Sequence, residues 1–524
     1  MTVEVTTNTE SAMQKLPIGI QSFESLRKDD YLYIDKTRLV YDLTRGGKYF
    51  FLSRPRRFGK SLLLSTLKAY FEGKKDLFEG LAIAELEHDW KQHPMLHLDL
   101  NTGDYSSVEG LWATFRSHIE RWEKNYDIVP TQDDLPMRFV NIITSLHDVV
   151  ILVDEYDKPL LQTMEDVELQ DRFRTILKSM YSVLKTCDAH LRFALLTGVS
   201  RFSHVSIFSD LNNLRDITLN NEFAALCGIT EEELRTAFTE HISHFAMQQD
   251  ITEADIFARL KSMYDGYHFS ASMVDVYNPF SLLNAFADGE FRSYWYQTGT
   301  PTFLIKRMES NHVDVLELSQ GKLTATSLSD TDSLGDNWLA LFFQTGYLTI
   351  KGYDRDFQSY SLGFPNREVE EGFMKSLVPH LTSRNNNQTS GFVQQSVLAL
   401  RRGDPEEFLL QMQVFLAGVP YELVRPNENW YQTVVYLLCR LLGFYTQAEY
   451  HTSRGRVDML LQTPSFIYIF EFKINLPAEV GARQIEARDY ALPFANDKRK
   501  LFKVAVSFNT EKRNIEDWQI GGRS

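Results

Sequence analysis

Five short apolar runs punctuate the first 220 residues, at 49–53, 95–100, 149–154, 192–197 and 215–219. Longer stretches with helical spacing separate most of them, such as Leu169 to Lys185. Continuous apolar runs predict strands buried on both faces. Their alternation with helices predicts a parallel, doubly wound α/β sheet. Beyond this core the period changes. Glu222 to Phe245 and Ile251 to Tyr264 read as helices, with Ile229-Thr230-Glu231-Glu232 as a capping signal. Tyr264-Asp265-Gly266-Tyr267-His268-Phe269 reads as a packed aromatic turn. Trp338 to Phe343 is helical in pattern, and Gly346 to Ile350 with Ser359 to Leu362 predicts a hairpin around Asp354-Arg355-Asp356. Helices are expected again over Glu368 to Leu381 and Gly391 to Leu416. The last hundred residues read as a helix over Glu422 to Phe444 and three strands, Phe444 to His451, Arg456 to Leu461 and Phe466 to Lys473. A helix holding Gln484 and Tyr490 and a strand over Phe502 to Phe508 complete them. Four parts are expected: an α/β core (1–225), a helical lid (226–330), a winged-helix-like and helical connector (331–418), and a small α/β domain (419–524).

The end of the first strand carries chemistry. Phe50 to Ser61 runs strand, tight loop, Gly59-Lys60-Ser61, then an apolar helix, the context that a phosphate-binding loop requires. Loop amides and the helix N-terminus would face phosphates, with Gly59 permitting the close turn. Lys60 would reach the β- and γ-phosphates of ATP, and Ser61 would hold Mg²⁺. The usual first glycine is replaced by Arg54, and Arg54, Arg56 and Arg57 could add charge to the site. Val149 to Val153 leads into Asp154-Glu155 at the sheet edge where ligands bind. Asp154 would hold the Mg²⁺ on Ser61, and Glu155 would polarise the attacking water. Thr197 ends the next strand, where a polar residue can sense the γ-phosphate. Arg201 follows four residues later and could reach that phosphate or a neighbour's, which would make the protein a homo-oligomer.

A second constellation lies near the C-terminus. Asp458, Glu471 and Lys473 are set in apolar strands, and period-two alternation puts Glu471 and Lys473 on one face with Phe470 and Phe472 on the other. Burying such charges is expensive unless they pair or bind metal. Metal-dependent nucleases use this arrangement, with Asp458 and Glu471 on Mg²⁺ and Lys473 orienting or deprotonating water. Glu428 is a candidate further ligand, and Gln484 a supporting residue.

Composition narrows the class. A chain of 524 residues holds two to four domains, and 43% hydrophobic residues supply large cores. The first 15 residues are polar, without the apolar stretch of a signal peptide. Val434 to Phe444 is interrupted by Arg440 and too short to span a bilayer. The cysteines, at 187, 227 and 439, match no metal spacing. A cytoplasmic protein without membrane contact is expected. The net charge of −15 argues against a generic nucleic-acid binder, yet it is uneven. From Tyr421 to Ser524 the balance is +2, and over the rest −17, so a phosphodiester contact belongs at the C-terminus.

The loop Arg-Pro-Arg-Arg-Phe-Gly-Lys-Ser (54–61) and the segment Val-Asp-Glu-Tyr-Asp-Lys-Pro (153–159) resemble those of the AAA-ATPase-like family, as do Tyr264-Asp265-Gly266-Tyr267 and Tyr277-Asn278-Pro279-Phe280. Gly455-Arg456-Val457-Asp458 and Phe470-Glu471-Phe472-Lys473, with Gln484, resemble the PD-(D/E)XK nuclease superfamily. The resemblance covers nearly the whole chain. It implies a P-loop NTPase fused to a restriction-endonuclease-like domain, in a bacterial group with suspected roles in mobile-element or defence biology. The function expected is an ATPase controlling a Mg²⁺-dependent nuclease, with DNA ahead of RNA as substrate. The alternative is a nucleotide-dependent switch or partner-remodelling ATPase whose nuclease-like domain binds without cutting.

Overall fold

The computed structural model describes residues 13–201, 213–298, 337–382, 386–418 and 458–522, with scattered positions between 304 and 328 and between 434 and 449. The chain forms two compact units, Met1–Thr298 with Glu317–Glu368, and Gly299–Leu316 with Val369–Ser524.

The first unit is built on a parallel sheet of β1 (Tyr49–Ser53), β2 (Met95–Asp99), β3 (Val149–Asp154), β4 (Leu191–Gly198) and β5 (Arg215–Asp216). The strand order is β2-β3-β4-β1-β5. Every residue of β1 and β3 is buried, as continuous apolar runs dictate. Helices Val108–Asn125, Leu135–Ser145 and Val167–Thr186 contribute Phe115, Ile119, Phe139, Phe173 and Leu177 to the core beside the sheet. Because β4 lies between β3 and β1, the ends of these three strands and the loop after β1 share one edge of the sheet.

The stretch after β5 differs from the expected single helix over Glu222 to Phe245. Residues 222–228 form turns and bends, Ile229 bridges to Tyr277, and the first helix starts only at Glu231. Thr230 and Glu233 form a reciprocal capping box that fixes this start. Helices Glu231–Ala237, Thr239–Gln249, Glu253–Tyr264 and Pro279–Asp288 then enclose a core of Phe238, Phe245, Leu260, Leu282 and Phe286. Helix Trp338–Thr345 stops at Gly346, whose φ of 90° suits glycine. β6 (Lys322–Thr324), β7 (Thr349–Asp354) and β8 (Ser359–Gly363) form an antiparallel sheet in the order β6-β8-β7. The predicted hairpin is thus present, with a third short strand beside it.

In the second unit, the helix expected over Gly391 to Leu416 is two, Asn386–Arg402 and Pro405–Ala417. Gly403, at φ 80°, and Pro405 break it. The sheet contains β9 (Gln447–Glu449), β10 (Met459–Gln462), β11 (Phe466–Ile474), β12 (Lys500–Asn509) and β13 (Asn514–Gly522), ordered β13-β12-β11-β10-β9. Only β11 and β12 are parallel, and helix Ala478–Ala487 lies in the connection between them. β13 escaped the sequence reading because it is an edge strand whose one buried residue is Ile515. Its other positions carry no apolar period. Positions between 434 and 443 are helical where described. Glu428, Cys439 and the turn before Asp458 lie outside the described residues.

Candidate nucleotide and metal sites

After β1 the chain turns through two left-handed positions, Arg57 (φ 70°) and Gly59 (φ 93°), and Gly59 is the N-cap of helix Lys60–Phe71. No side chain caps this helix, so its first amides remain for an anion. Lys60 is 4% exposed, and its Nζ donates to the carbonyls of Arg54 (3.0 Å) and Pro55 (3.2 Å). Glu155 Oε1 lies 3.8 Å from it. Ser61 Oγ donates to Asp154 Oδ2 at 2.6 Å, and Thr197 Oγ1 donates to Asp154 Oδ1 at 2.9 Å. Asp154 is therefore held from both sides, by Ser61 of the helix start and Thr197 of β4. Glu155 takes a left-handed backbone (φ 54°), a conformation of raised energy of the kind found at working sites.

Two arginines depart from the expected arrangement. Arg54 does not add charge to the phosphate side of the loop. Its side chain is buried, and its guanidinium donates to the carbonyls of Ser53, Thr218 and Phe223. Burial lowers its pKa to about 10, so it stays cationic at neutral pH. Arg201 forms an ion pair with Asp216 at 2.9 Å, and its backbone amide donates to Gln344 Oε1. A role at a phosphate requires that pair to open. Arg56 and Arg57 are exposed, with the Arg57 guanidinium 5.1 Å from the ring centroid of Phe280.

Two further features were not singled out from sequence. Asp157 is fully buried and accepts hydrogen bonds from the amides of Val199 and Ser200 and from Ser200 Oγ. Burial, with Glu155 nearby, raises its pKa to about 6. An aspartate before Lys-Pro reads as a helix cap, yet this one makes no capping bond and turns inward. The second feature is a cavity of about 110 Å³ beside Gly59, walled by Pro17, Leu32, Ile34, Leu62, Cys227, Ile229 and Leu283. An apolar slot next to a phosphate loop suits a nucleobase. Its wall residues come from four separate segments, so no local motif marks them. The Lys36–Glu233 ion pair (2.6 Å) links two of those segments.

In the second unit, Met459 pairs with Phe470, so Asp458 and Glu471 come opposite one step further along the ladder. Asp458 Oδ2 accepts from the Phe472 amide at 2.8 Å. Glu471 is 1% exposed. Its Oε1 accepts from Lys473 Nζ at 2.7 Å, whereas its buried Oε2 has no hydrogen-bond partner. Burial first, and Asp458 as well, raise the pKa of the Glu471 carboxyl against the lowering effect of Lys473. Lys473 also donates to Gln484 Oε1 at 2.9 Å, so helix Ala478–Ala487 aims the ammonium. Phe470 and Phe472 occupy the opposite face, where Phe408 meets Phe470 edge-on at 5.5 Å. Among the described residues no three carboxylate, imidazole or thiolate groups converge as a ready-made metal cage. Two carboxylates, one with an orphaned buried oxygen, fit instead a hard cation that keeps several waters.

Comparison with known proteins finds two family matches along the chain. Residues 17–208 match the family described as Predicted AAA-ATPase, and residues 426–518 match the PD-(D/E)XK nuclease superfamily. The chain is also 35% identical over 518 residues to an "Uncharacterized protein in vnfD 5'region" of Azotobacter chroococcum mcd 1, covering 96% of this chain and 98% of that one. Among the described residues no helix is long and apolar enough to cross a membrane.

Proposed function

Because the chain belongs to the family that joins a predicted AAA-ATPase domain to a PD-(D/E)XK nuclease superfamily domain, we propose that it is an ATPase whose nucleotide state controls metal-dependent cleavage of nucleic acid. The observation that carries the reading is the hydrogen-bonded chain Ser61–Asp154–Thr197 beside Lys60 at one sheet edge. The phosphates of ATP would lie against the amides that start helix Lys60–Phe71, with Lys60 leaving the carbonyls of Arg54 and Pro55 to meet them. Ser61 and Asp154 would hold Mg²⁺, which offsets phosphate charge when bound. Glu155 would orient water, and Thr197 would keep Asp154 turned toward Ser61. The base would occupy the apolar cavity by Gly59.

In the second unit, Asp458 and Glu471 would hold the cation, which supplies charge stabilisation at a phosphodiester. Lys473, steered by Gln484, would position the water. Glu428 remains a proposed further ligand. DNA is the expected substrate, and the distribution of charge supports placing it on the second unit.

The test is cleavage of single- and double-stranded DNA and RNA with Mg²⁺ or Mn²⁺, with and without ATP. Wild type should cut, Asp458→Ala should not, and Lys60→Ala should lose ATP binding together with ATP control. Glu155→Gln should bind ATP and fail to hydrolyse it. Equal cleavage by wild type and Asp458→Ala removes the nuclease assignment, and unchanged ATP affinity in Lys60→Ala removes the nucleotide assignment.

A further inference from the structure

Arg54 occupies the position that is glycine in the usual phosphate-binding loop. Its backbone needs no glycine, because the left-handed positions of this loop are Arg57 and Gly59. The side chain is 1% exposed, although arginine is among the residues least often buried. Nη1 donates to the carbonyls of Ser53 and Thr218, both at 2.8 Å, and Nη2 to that of Phe223 at 3.2 Å. The guanidinium carbon lies 4.3 Å from the centroid of Phe269. A single side chain thus binds the first residue of the loop to the turn after β5 and to the aromatic segment 264–269.

The rest of the loop is held from the same quarter. The Trp295 indole donates to the Arg56 carbonyl at 3.0 Å. Phe58 packs edge-on against Tyr267 (4.8 Å) and Phe269 (5.3 Å). A methyl on Gly346 would come within 2.7 Å of Pro55. On the opposite side, Lys60 Nζ rests on the Arg54 and Pro55 carbonyls. The lysine that would meet the phosphates is therefore held, until they arrive, on the backbone that Arg54 fixes.

We propose that Arg54 is a positioning residue for nucleotide binding, which braces the phosphate loop from behind in its binding-competent form. The proposal rests on the nucleotide reading above. Its physical basis is that a loop populating its competent form only part of the time shows an affinity reduced by that fraction. Lysine cannot replace Arg54, because one ammonium lacks the planar fork that serves three carbonyls and stacks on a ring.

The test compares ATP affinity by calorimetry, steady-state turnover and thermal unfolding without nucleotide. Wild type, Arg54→Gly, Arg54→Lys and Phe269→Leu are measured, with Lys60→Ala as the control. Arg54→Gly restores the usual residue, yet both Arg54 variants should raise Kd and KM for ATP by about tenfold or more while kcat stays within about threefold. Phe269→Leu should shift KM in the same direction by less. A wild-type KM in the Arg54 variants overturns the proposal. So does a lower kcat at unchanged KM, which marks a smaller folded fraction. If Arg54→Gly does not fold, Arg54→Lys and Phe269→Leu decide. Wild type that binds no ATP, like Lys60→Ala, overturns the nucleotide reading and this proposal together; wild type that binds while the Arg54 variants match it overturns the proposal alone.

Discussion

Single atoms decide much at both sites. At the end of β4, a methyl on Gly198 would lie 2.5 Å from Asp157 Oδ1 and 2.6 Å from the Tyr156 ring. Both neighbours are buried, and Tyr156 is itself tied to the Ser200 carbonyl through its hydroxyl at 3.0 Å. Gly198→Ala should therefore cost about 1–3 kcal/mol in chemical denaturation. It should also slow ATP turnover, because Thr197 precedes it and holds Asp154. In the second unit the charges oppose one another. Lys473 offsets the buried Glu471, whereas Asp458 repels it. Lys473→Met leaves Glu471 without its cation and should destabilise by about 3 kcal/mol. Asp458→Asn relieves the repulsion, so the metal-free protein should melt no lower than wild type while its cleavage is lost. Paired melting and cleavage measurements check this, and a lower melting point in Asp458→Asn counts against two facing carboxylates.

Whole elements are positioned by buried polar groups. Glu368, in the first turn of helix Arg367–Thr382, accepts from the Trp295 amide at 2.7 Å and from Ser281 Oγ at 2.7 Å. Burial raises its pKa from 4.5 to about 7. A carboxyl raised by folding contributes most below its unfolded value, and that contribution fades as pH rises toward the folded one. Wild-type stability relative to Glu368→Gln should accordingly be greatest below pH 4.5 and decline up to about pH 7, read as the difference in melting temperature across that range. Elements of this kind also show what a sequence makes legible. Apolar runs such as Val149 to Val153 can only be buried strands, so β1 to β4 and the order of motifs along them followed directly. Asp458, Glu471 and Lys473 stood out because charge inside such runs demands a partner. Arg54 and Asp157 gave no such sign, since loop residues beside Gly, Pro or Lys look solvated until distant segments close over them. The cavity walled by Pro17, Leu62 and Cys227 depends on the same long-range closure. Two helices were read too long: the first because the capping signal at Thr230 was not taken as its start, the second because Gly403 takes its left-handed conformation only in the folded chain.

At the scale of the molecule, the two candidate sites occupy separate units, 1–298 with 317–368 and 299–316 with 369–524. Asp458→Ala should leave the ATP affinity of the nucleic-acid-free protein within about twofold of wild type, since Asp458 and the loop after β1 belong to separate units; calorimetry on the purified variant checks it. The last strand carries a different consequence. β12 is buried at seven of its ten positions, and β13 covers one side of it along a register from Phe502–Gly522 to Asn509–Asn514. A chain shortened at Arg513 would leave a long apolar strand with a row of unsatisfied amides and carbonyls. Bare edges of that type recruit strands from other molecules. The shortened protein should accumulate as insoluble, β-rich aggregate during expression, and its loss of activity would then report on solubility while both sites remained intact in sequence.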